Sequence, residues 1–472
     1  MNALLNRLRG SASRQARSDD AGFSIVEVMV ALMVFAVLAV CIAGSLTSGL
    51  VLTNASRGRE VAINLASQDV DNMRITALGT PAGVFSVTST PSPIVYTVGG
   101  AKFSLSRTVD WVTTTGGSGA CGTGSGTLAY KSVVDKVSWK ENSNTFSTTM
   151  TTLVAPISNI NSDTAGTIIV AIIGASGAAE SGVSISITPN SGGGGATLAQ
   201  QPSKTDSDGC SFGLNAQPGT YTVTATETGG IDFQQHAPAS NANVVVTAGQ
   251  NTMVNFTYDQ ADTFKFTYPS GATLPTNMPL TFINDVAGAS QFAASPTTVS
   301  AFPYPDGYQV VAGTYVYAAG GGSSTCIDTN PQTWPTDATS GAVPPDVSAS
   351  TMGVTAPGAA SNPATLAVGM GVVKVSGITT STFVTAVSTP GPAGTPDPGC
   401  LSVQTLTFPK STGTSQTIAL PFGTWSIFTG TTSGAKTTNY IKTKPTNVTV
   451  STTGTIDSTT TFTVMVDPRV AS

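Results

Sequence analysis

Few residues in this chain have the type and spacing to do chemistry. The one histidine, His236, stands beside Gln234 and Gln235 without the companions of a metal site or a nucleophile–base pair, and reads as a surface-loop residue. Gly117, Gly119 and Gly122 match the spacing of a dinucleotide-binding turn. That turn cradles a pyrophosphate only between a strand and a helix, and no helical periodicity follows, so residues 113–126 read as a Gly-rich loop. Asp206, Asp208 and Gly209 resemble half of a calcium loop, but the downstream acidic ligands are missing and a tight turn is expected. A Lys–Asn cross-link needs a Lys on a first strand, an Asn or Asp on a last strand and an acid between them. Asn255 lacks the Lys, and Lys374 with Asp467 lacks the acid. No catalytic residue, cofactor or metal is expected. One carboxylate is different: Glu27 is the only charged residue between Phe23 and Leu52. A carboxylate in an apolar span is costly, about 2.5–3.5 kcal/mol at the span's centre and less near its ends, so it is a functional candidate.

The element that must position Glu27 is a helix. Residues 23–52 form a run of 30 residues, where roughly 20 span a bilayer. Arg7, Arg9, Arg14 and Arg17 precede it, set against Asp19 and Asp20, which keeps the N-terminus on the cytoplasmic side and everything after Leu52 outside. A secretory signal would place its small-residue cleavage site after the apolar core. Here Ala21-Gly22 lies before it, so cutting there leaves the apolar helix on the mature chain. Beyond the span, Ala62, Leu65, Ala66, Val70, Met73 and Ala77 recur at helical steps, and Gly79-Thr80-Pro81 ends the helix.

Gly22-Phe23-Ser24-Ile25-Val26-Glu27, followed by the apolar helix, resembles the type IV prepilin family, which includes the pseudopilins. The resemblance implies cleavage by a prepilin peptidase between Gly22 and Phe23 and methylation of Phe23. It also implies pairing of Glu27 with the N-terminal amine of a neighbouring subunit. Ala21 departs from the Lys or Arg common at its position. The partners implied are other pilin subunits, the peptidase and a membrane crossed once.

After the helix come runs with strand character: Val84–Thr88, Ile94–Val98, Lys102–Val112, Leu128–Trp139 and Thr145–Val154. Tyr130–Trp139 and Thr148–Val154 look like the head sheet of small minor pilins. Ser158–Thr164 reads as a linker separating this head from the C-terminal region. In residues 166–472 a turn-plus-strand recurs at Pro218-Gly-Thr-Tyr221, Ala312-Gly-Thr-Tyr315 and Phe422-Gly-Thr-Trp425. Residues 166–261 resemble the carboxypeptidase regulatory-like (transthyretin-like) family, a non-catalytic β-sandwich, at Gly182–Ile187, Lys204–Phe212 and Pro218–Val223.

The fold expected is α+β: a long pilin helix with a small antiparallel head sheet, then three Ig-like or transthyretin-like sandwich modules. The boundaries are a leader 1–22, a membrane and assembly helix 23–52, the rest of helix and head 53–157, and modules at 166–261, 262–370 and 371–472. Residues 319–362 read as exposed loops. Among the five cysteines there is no CxxC, and Cys41 reads as a packing residue of the helix. The other four lie on the oxidising side, where three connectivities are open. Cys326 with Cys400, flanking adjacent modules, is preferred, leaving Cys121 with Cys210 to tie the head to the first module.

Charged residues make up 10% of the chain against about 25% in an ordinary soluble domain, while 40% are hydrophobic, enough to bury a core. The net charge of −5 carries no footprint for nucleic acid. The expected role is a low-copy minor type IV pilin, anchored in the bacterial inner membrane and then assembled into an extracellular filament. It would display its modules near the tip to adhere to an unknown surface ligand. The alternative is a pseudopilin of a type II-like secretion or DNA-uptake system, which shares the N-terminal motif.

Overall fold

The structure is a computed structural model and describes residues 24–79, 83–122, 126–141, 144–157, 160, 163–292, 294–315, 326–337, 341–344, 364–389, 396–400, 402–451 and 453–469. It holds one long helix, α1 (Ile25–Leu78), followed by a β-rich body. Ser24 starts α1: its hydroxyl accepts from Val26 N at 3.3 Å and its carbonyl from Val28 N at 3.1 Å. The Ser-x-x-Glu spacing with Glu27 is that of a helix-start capping pair. The helix stops at Leu78, just before Gly79, as the Gly-Thr-Pro signal requires.

The chain divides into two compact units, each built from several stretches. The first contains residues 1–69, 93–106 and 135–150. Its core sets Ala62 and Ala66 of α1 against Phe103, Leu105, Val137 and Trp139. These come from the head sheet, whose strands are β1 (Ile94–Val98), β2 (Ala101–Thr113), β3 (Ser118–Gly119), β4 (Leu128–Glu141) and β5 (Asn144–Val154), in the order β1-β2-β4-β5 with β3 paired to β2. Alternation along β4 buries Val133, Val137 and Trp139, as its period-two pattern demands. Gly58 lets the helix approach closely, because a Cβ there would come within 2.6 Å of Trp139 Nε1.

The second unit comprises residues 70–92, 107–134 and 151–472. Val84–Thr88 is not a strand: Gly83–Ser86 forms a 3-10 turn, with Val84 and Val87 fully buried. Gly83 sits against the carbonyls of Thr76 and Ala77 at the end of α1, a position an extended chain would leave. Residues 166–261 supply β6 (Gly166–Ile173), β7 (Ser184–Pro189), β8 (Cys210–Ala216), β9 (Gly219–Thr226), β10 (Gly230–Asp232), β11 (Ala239–Val246) and β12 (Asn251–Gln260). They form two facing sheets, β10-β12-β6-β8 and β11-β9-β7. Ile168, Val170 and Ile172 of β6 meet Ile187, Tyr221, Val223 and Val254 in a core enclosed by these sheets.

The other face of β6 corrects the expected separation at Ser158–Thr164, of which 158, 159, 161 and 162 lie outside the described residues. Ile169, Cys210 and Phe212 pack with Trp111, Cys121, Leu128 and Val133 in one cluster. Residues on either side of that segment therefore share a core rather than enclosing two. The unbroken apolar run Ile-Ile-Val-Ala-Ile-Ile in β6 has this cause, because both its faces are covered. Further along, Phe264, Phe266 and Phe282 join Val373, Val384, Trp425 and Val464 in a cluster drawn from both 262–370 and 371–472. The ladders are mostly antiparallel, with parallel exceptions where β12 meets β6 and where Asp262–Thr267 meets Ala364–Ala367.

The repeated turn takes two forms. Gly219 and Gly423 open strands at φ +154° and +127°. The aromatic two residues on is fully buried in each and bonds the carbonyl four residues upstream: Tyr221 Oη to Gln217 at 2.8 Å, Trp425 Nε1 to Pro421 at 3.0 Å. At the middle copy a strand ends at Ala312, before the turn, and Tyr315 is buried beyond it; residues 316–325 lie outside the described residues.

Candidate assembly and anchoring site

α1 carries two surfaces of opposite character. From Ile25 to Leu52 its large apolar side chains are uncovered, Ile25 by 80% and Leu52 by 71%, whereas Ala62 and Ala66 are 0% exposed. The apolar part is long enough to cross a membrane. Three hydroxyls are satisfied within the helix: Ser45 Oγ donates to Cys41 O at 2.9 Å, Thr47 Oγ1 to Ala43 O at 3.1 Å and Thr53 Oγ1 to Gly49 O at 2.8 Å. Such back-bonding is what hydroxyls need where no water can reach them.

Glu27 lies in the first turn of α1 and is exposed. Its carboxylate meets no ion-pair partner among the described residues. The positive end of the helix dipole favours a carboxylate there, and its free edge can take a cation from outside the chain. Gly22 and Phe23 lie outside the described residues. Cys41 is an exposed free thiol on the apolar stretch, so it does not pack against this chain.

Cys121 is bonded to Cys210, and Cys326 to Cys400. The second bridge lies among buried groups that no sequence motif marks. Within residues 319–362, expected as exposed loops, Cys326, Asp328, Thr329, Asn330 and Trp334 are buried. Asn330 caps a 3-10 turn at Pro331–Thr333, and Trp334 Nε1 donates to Asp328 O at 2.7 Å. Arg469 stacks over the Trp334 ring at 5.6 Å, forms an ion pair with Asp467, and donates to Pro335 O at 3.3 Å. A lone Trp amid Ser, Thr and Pro was the signal available for this.

Both carboxyl oxygens of Asp328 lie 3.1 Å from Cys400 Sγ, which as a disulfide sulfur has no proton to donate. Burial and then the neighbouring Asp397 push Asp328 up to about 8. Cys326, Asp328 and Cys400 converge as metal ligands do, but both sulfurs are committed to the bridge, so the trio is not a metal centre. Lys131 is also buried: its Nζ donates to Val87 O at 2.6 Å and sits 5.0 Å from the Trp111 ring. Burial pulls it down to about 8 against the opposing pull of Asp206 and Asp208.

The remaining sequence candidates are structural. The Asp206 carboxylate accepts from Asp208 N and Cys210 N, closing the tight turn, and Asp208 accepts from Ser89 N at 3.0 Å. Ser118 and Gly119 in the Gly-rich run pair with Val112 and Trp111 as strand, and among the described residues that follow, the chain runs into β4 rather than a helix. His236 pairs with Asp232 at 3.2 Å in a loop. Lys374 is exposed, and Asp467 is engaged by Arg469.

The prokaryotic N-terminal methylation motif family matches residues 17–40. The chain therefore carries the prepilin motif, and its first helix is the apolar one that motif requires. No curated protein matches the sequence. Among solved structures, the Bacillus anthracis TIE protein aligns at 10% identity over 72% of this chain and 67% of its own, with TM-score 0.19. A streptococcal ancillary pilin aligns at 10% identity over 40% of this chain and 68% of its own, with TM-score 0.18. The major pilin subunit of Bacillus cereus aligns at 10% identity over 57% and 88%, with TM-score 0.14.

Proposed function

We propose that this protein is a low-copy minor pilin. In this reading a prepilin peptidase cuts between Gly22 and Phe23, Phe23 is methylated, and α1 first anchors the chain in the inner membrane. Assembly into a filament then covers the apolar stretch with the helices of other subunits. Glu27 pairs there with the N-terminal amine of a neighbour, inside an apolar bundle where an ion pair is poorly screened. The role is structural and adhesive rather than catalytic. The observation that carries this reading is the division of α1, uncovered and apolar up to Leu52 and packed on the head sheet after it.

Residues 166–472 are too large to repeat along a tightly packed shaft, which supports a place near the tip, outside the cell, with segments 166–261, 262–370 and 371–472 displayed for contact with a surface. Glu27→Ala should leave the protein in the membrane fraction but exclude it from purified filaments. Unchanged incorporation contradicts the assembly role. A strain whose chain lacks only residues 262–472, which leaves the core joining Trp111 to Ile169 and the Cys121–Cys210 bridge whole, should keep filaments and lose adhesion; intact adhesion favours a secretion or DNA-uptake pseudopilin.

A further inference from the structure

Where α1 emerges from its apolar stretch, the first unit has a pocket of about 440 Å³. Asn54, Arg57 and Gly58 of α1 form one wall, and Trp139, Lys140 and Glu141 at the end of β4 form another. The helix acts as a ruler for its depth. At ~1.5 Å per residue, Asn54 lies ~3 Å and Arg57 ~7.5 Å beyond Leu52 along the axis. The polar headgroup layer occupies about the first 5–8 Å outside the hydrocarbon core. With Leu52, the last residue of the apolar stretch, at the edge of the hydrocarbon core, this pocket lies at headgroup level.

The lining has an ordered charge pattern. Arg57 and Lys140 are exposed cations, Glu141 is a half-buried anion, and none of the three side chains has a hydrogen-bond or ion-pair partner among the described residues. Trp139 is only 6% exposed, and its indole nitrogen is closed against α1 at Gly58, so the polar contacts of the pocket fall to Arg57, Lys140 and Glu141. Two cations suit a phosphate, which accepts charge-assisted hydrogen bonds from both. The adjacent carboxylate suits a primary ammonium. We infer that this pocket holds the phosphoethanolamine headgroup of a membrane lipid while the subunit waits, anchored, for assembly. The inference rests on the membrane-anchored reading of α1. A glycerol headgroup offers Glu141 no cation, and a choline headgroup offers it no N–H donor, so both should bind less well.

The test uses the full chain purified in detergent, with phosphatidylethanolamine, phosphatidylglycerol or phosphatidylcholine added, and retained lipid counted by native mass spectrometry. The wild type should retain phosphatidylethanolamine about fivefold over the other two. Arg57→Ala with Lys140→Ala should lower that retention about tenfold, while the surface change Lys136→Ala leaves it intact. Glu141→Gln should keep the lipid but erase the preference for ethanolamine over glycerol. Equal retention of all three lipids by the wild type overturns the inference. So does full retention by the double variant, or an equal loss in the Lys136→Ala control. Circular dichroism confirms that each variant is folded. Alkaline extraction of cell membranes separates the two readings. Protein absent from the extracted membrane with headgroup selectivity intact defeats the anchoring, whereas protein present there without selectivity defeats the pocket.

Discussion

Asp328 holds a proton that an ordinary aspartate would have lost. An acid whose folded-state pKa lies above its unfolded value binds its proton more tightly folded than unfolded. Folding stability therefore falls as pH rises from the ordinary value of 3.8 toward about 8, where the folded form also ionises. The cause is burial first and Asp397 second. Thermal melts of the full chain should thus give a transition temperature that declines between these limits. Asp328→Asn should flatten that decline, because the amide fits the same space without ionising. A variant with the wild-type pH dependence would mean that the proton is held elsewhere. Nothing in the sequence around Cys326-Ile-Asp328 announced this, since the carboxyl meets Asp397, Cys400 and Gly423, all distant along the chain.

At the scale of elements, the aromatic of the Gly-Thr-aromatic turn organises its strand. Tyr221 is fully buried and its hydroxyl is bonded to Gln217 O. Tyr221→Ala should cost roughly 3–5 kcal/mol, as other large aromatic truncations do. Tyr221→Phe, which leaves the Gln217 carbonyl without that donor, should cost about 1 kcal/mol. Chemical denaturation of the two variants measures both, and a mutant as stable as wild type would remove Tyr221 from the core. The turn was readable because glycine and an aromatic recur at fixed spacing. The helix was readable from its apolar stretch and the Gly-Thr-Pro stop, and β4 from alternation. In β6 an apolar residue stands at every position from Ile168 to Ile173, which is the mark of a strand covered on both faces. At the middle copy the same three residues follow a strand that ends at Ala312, and residues 316–318 of that copy lie outside the described residues.

Across the whole molecule, the shared core around Trp111 changes what can be cut apart. A fragment starting at residue 166 exposes Ile169 and Cys210, which are buried in the intact chain, uncovers more of the half-buried Phe212, and strands Cys210 without Cys121. Such a fragment should be β-rich by circular dichroism but melt below the same region in the longer chain. Restoring residues 83–157 should raise the melting temperature. Replacing Cys121 and Cys210 by Ser should lower it, since closing a loop of 89 residues stabilises by about 4.6 kcal/mol in the chain-entropy view. Equal melting of the short and long fragments would show that the cluster contributes nothing.

The pilin role hangs on α1 being the retained N-terminus of a processed subunit, as the motif at residues 17–40 implies. The most direct measurement is the intact mass and N-terminal sequence of the mature protein isolated from cells. The expected chain begins at Phe23, carries one added methyl group on its N-terminal amine, and retains the whole apolar helix. A mature chain that begins at Met1, or beyond Cys41, would contradict that role.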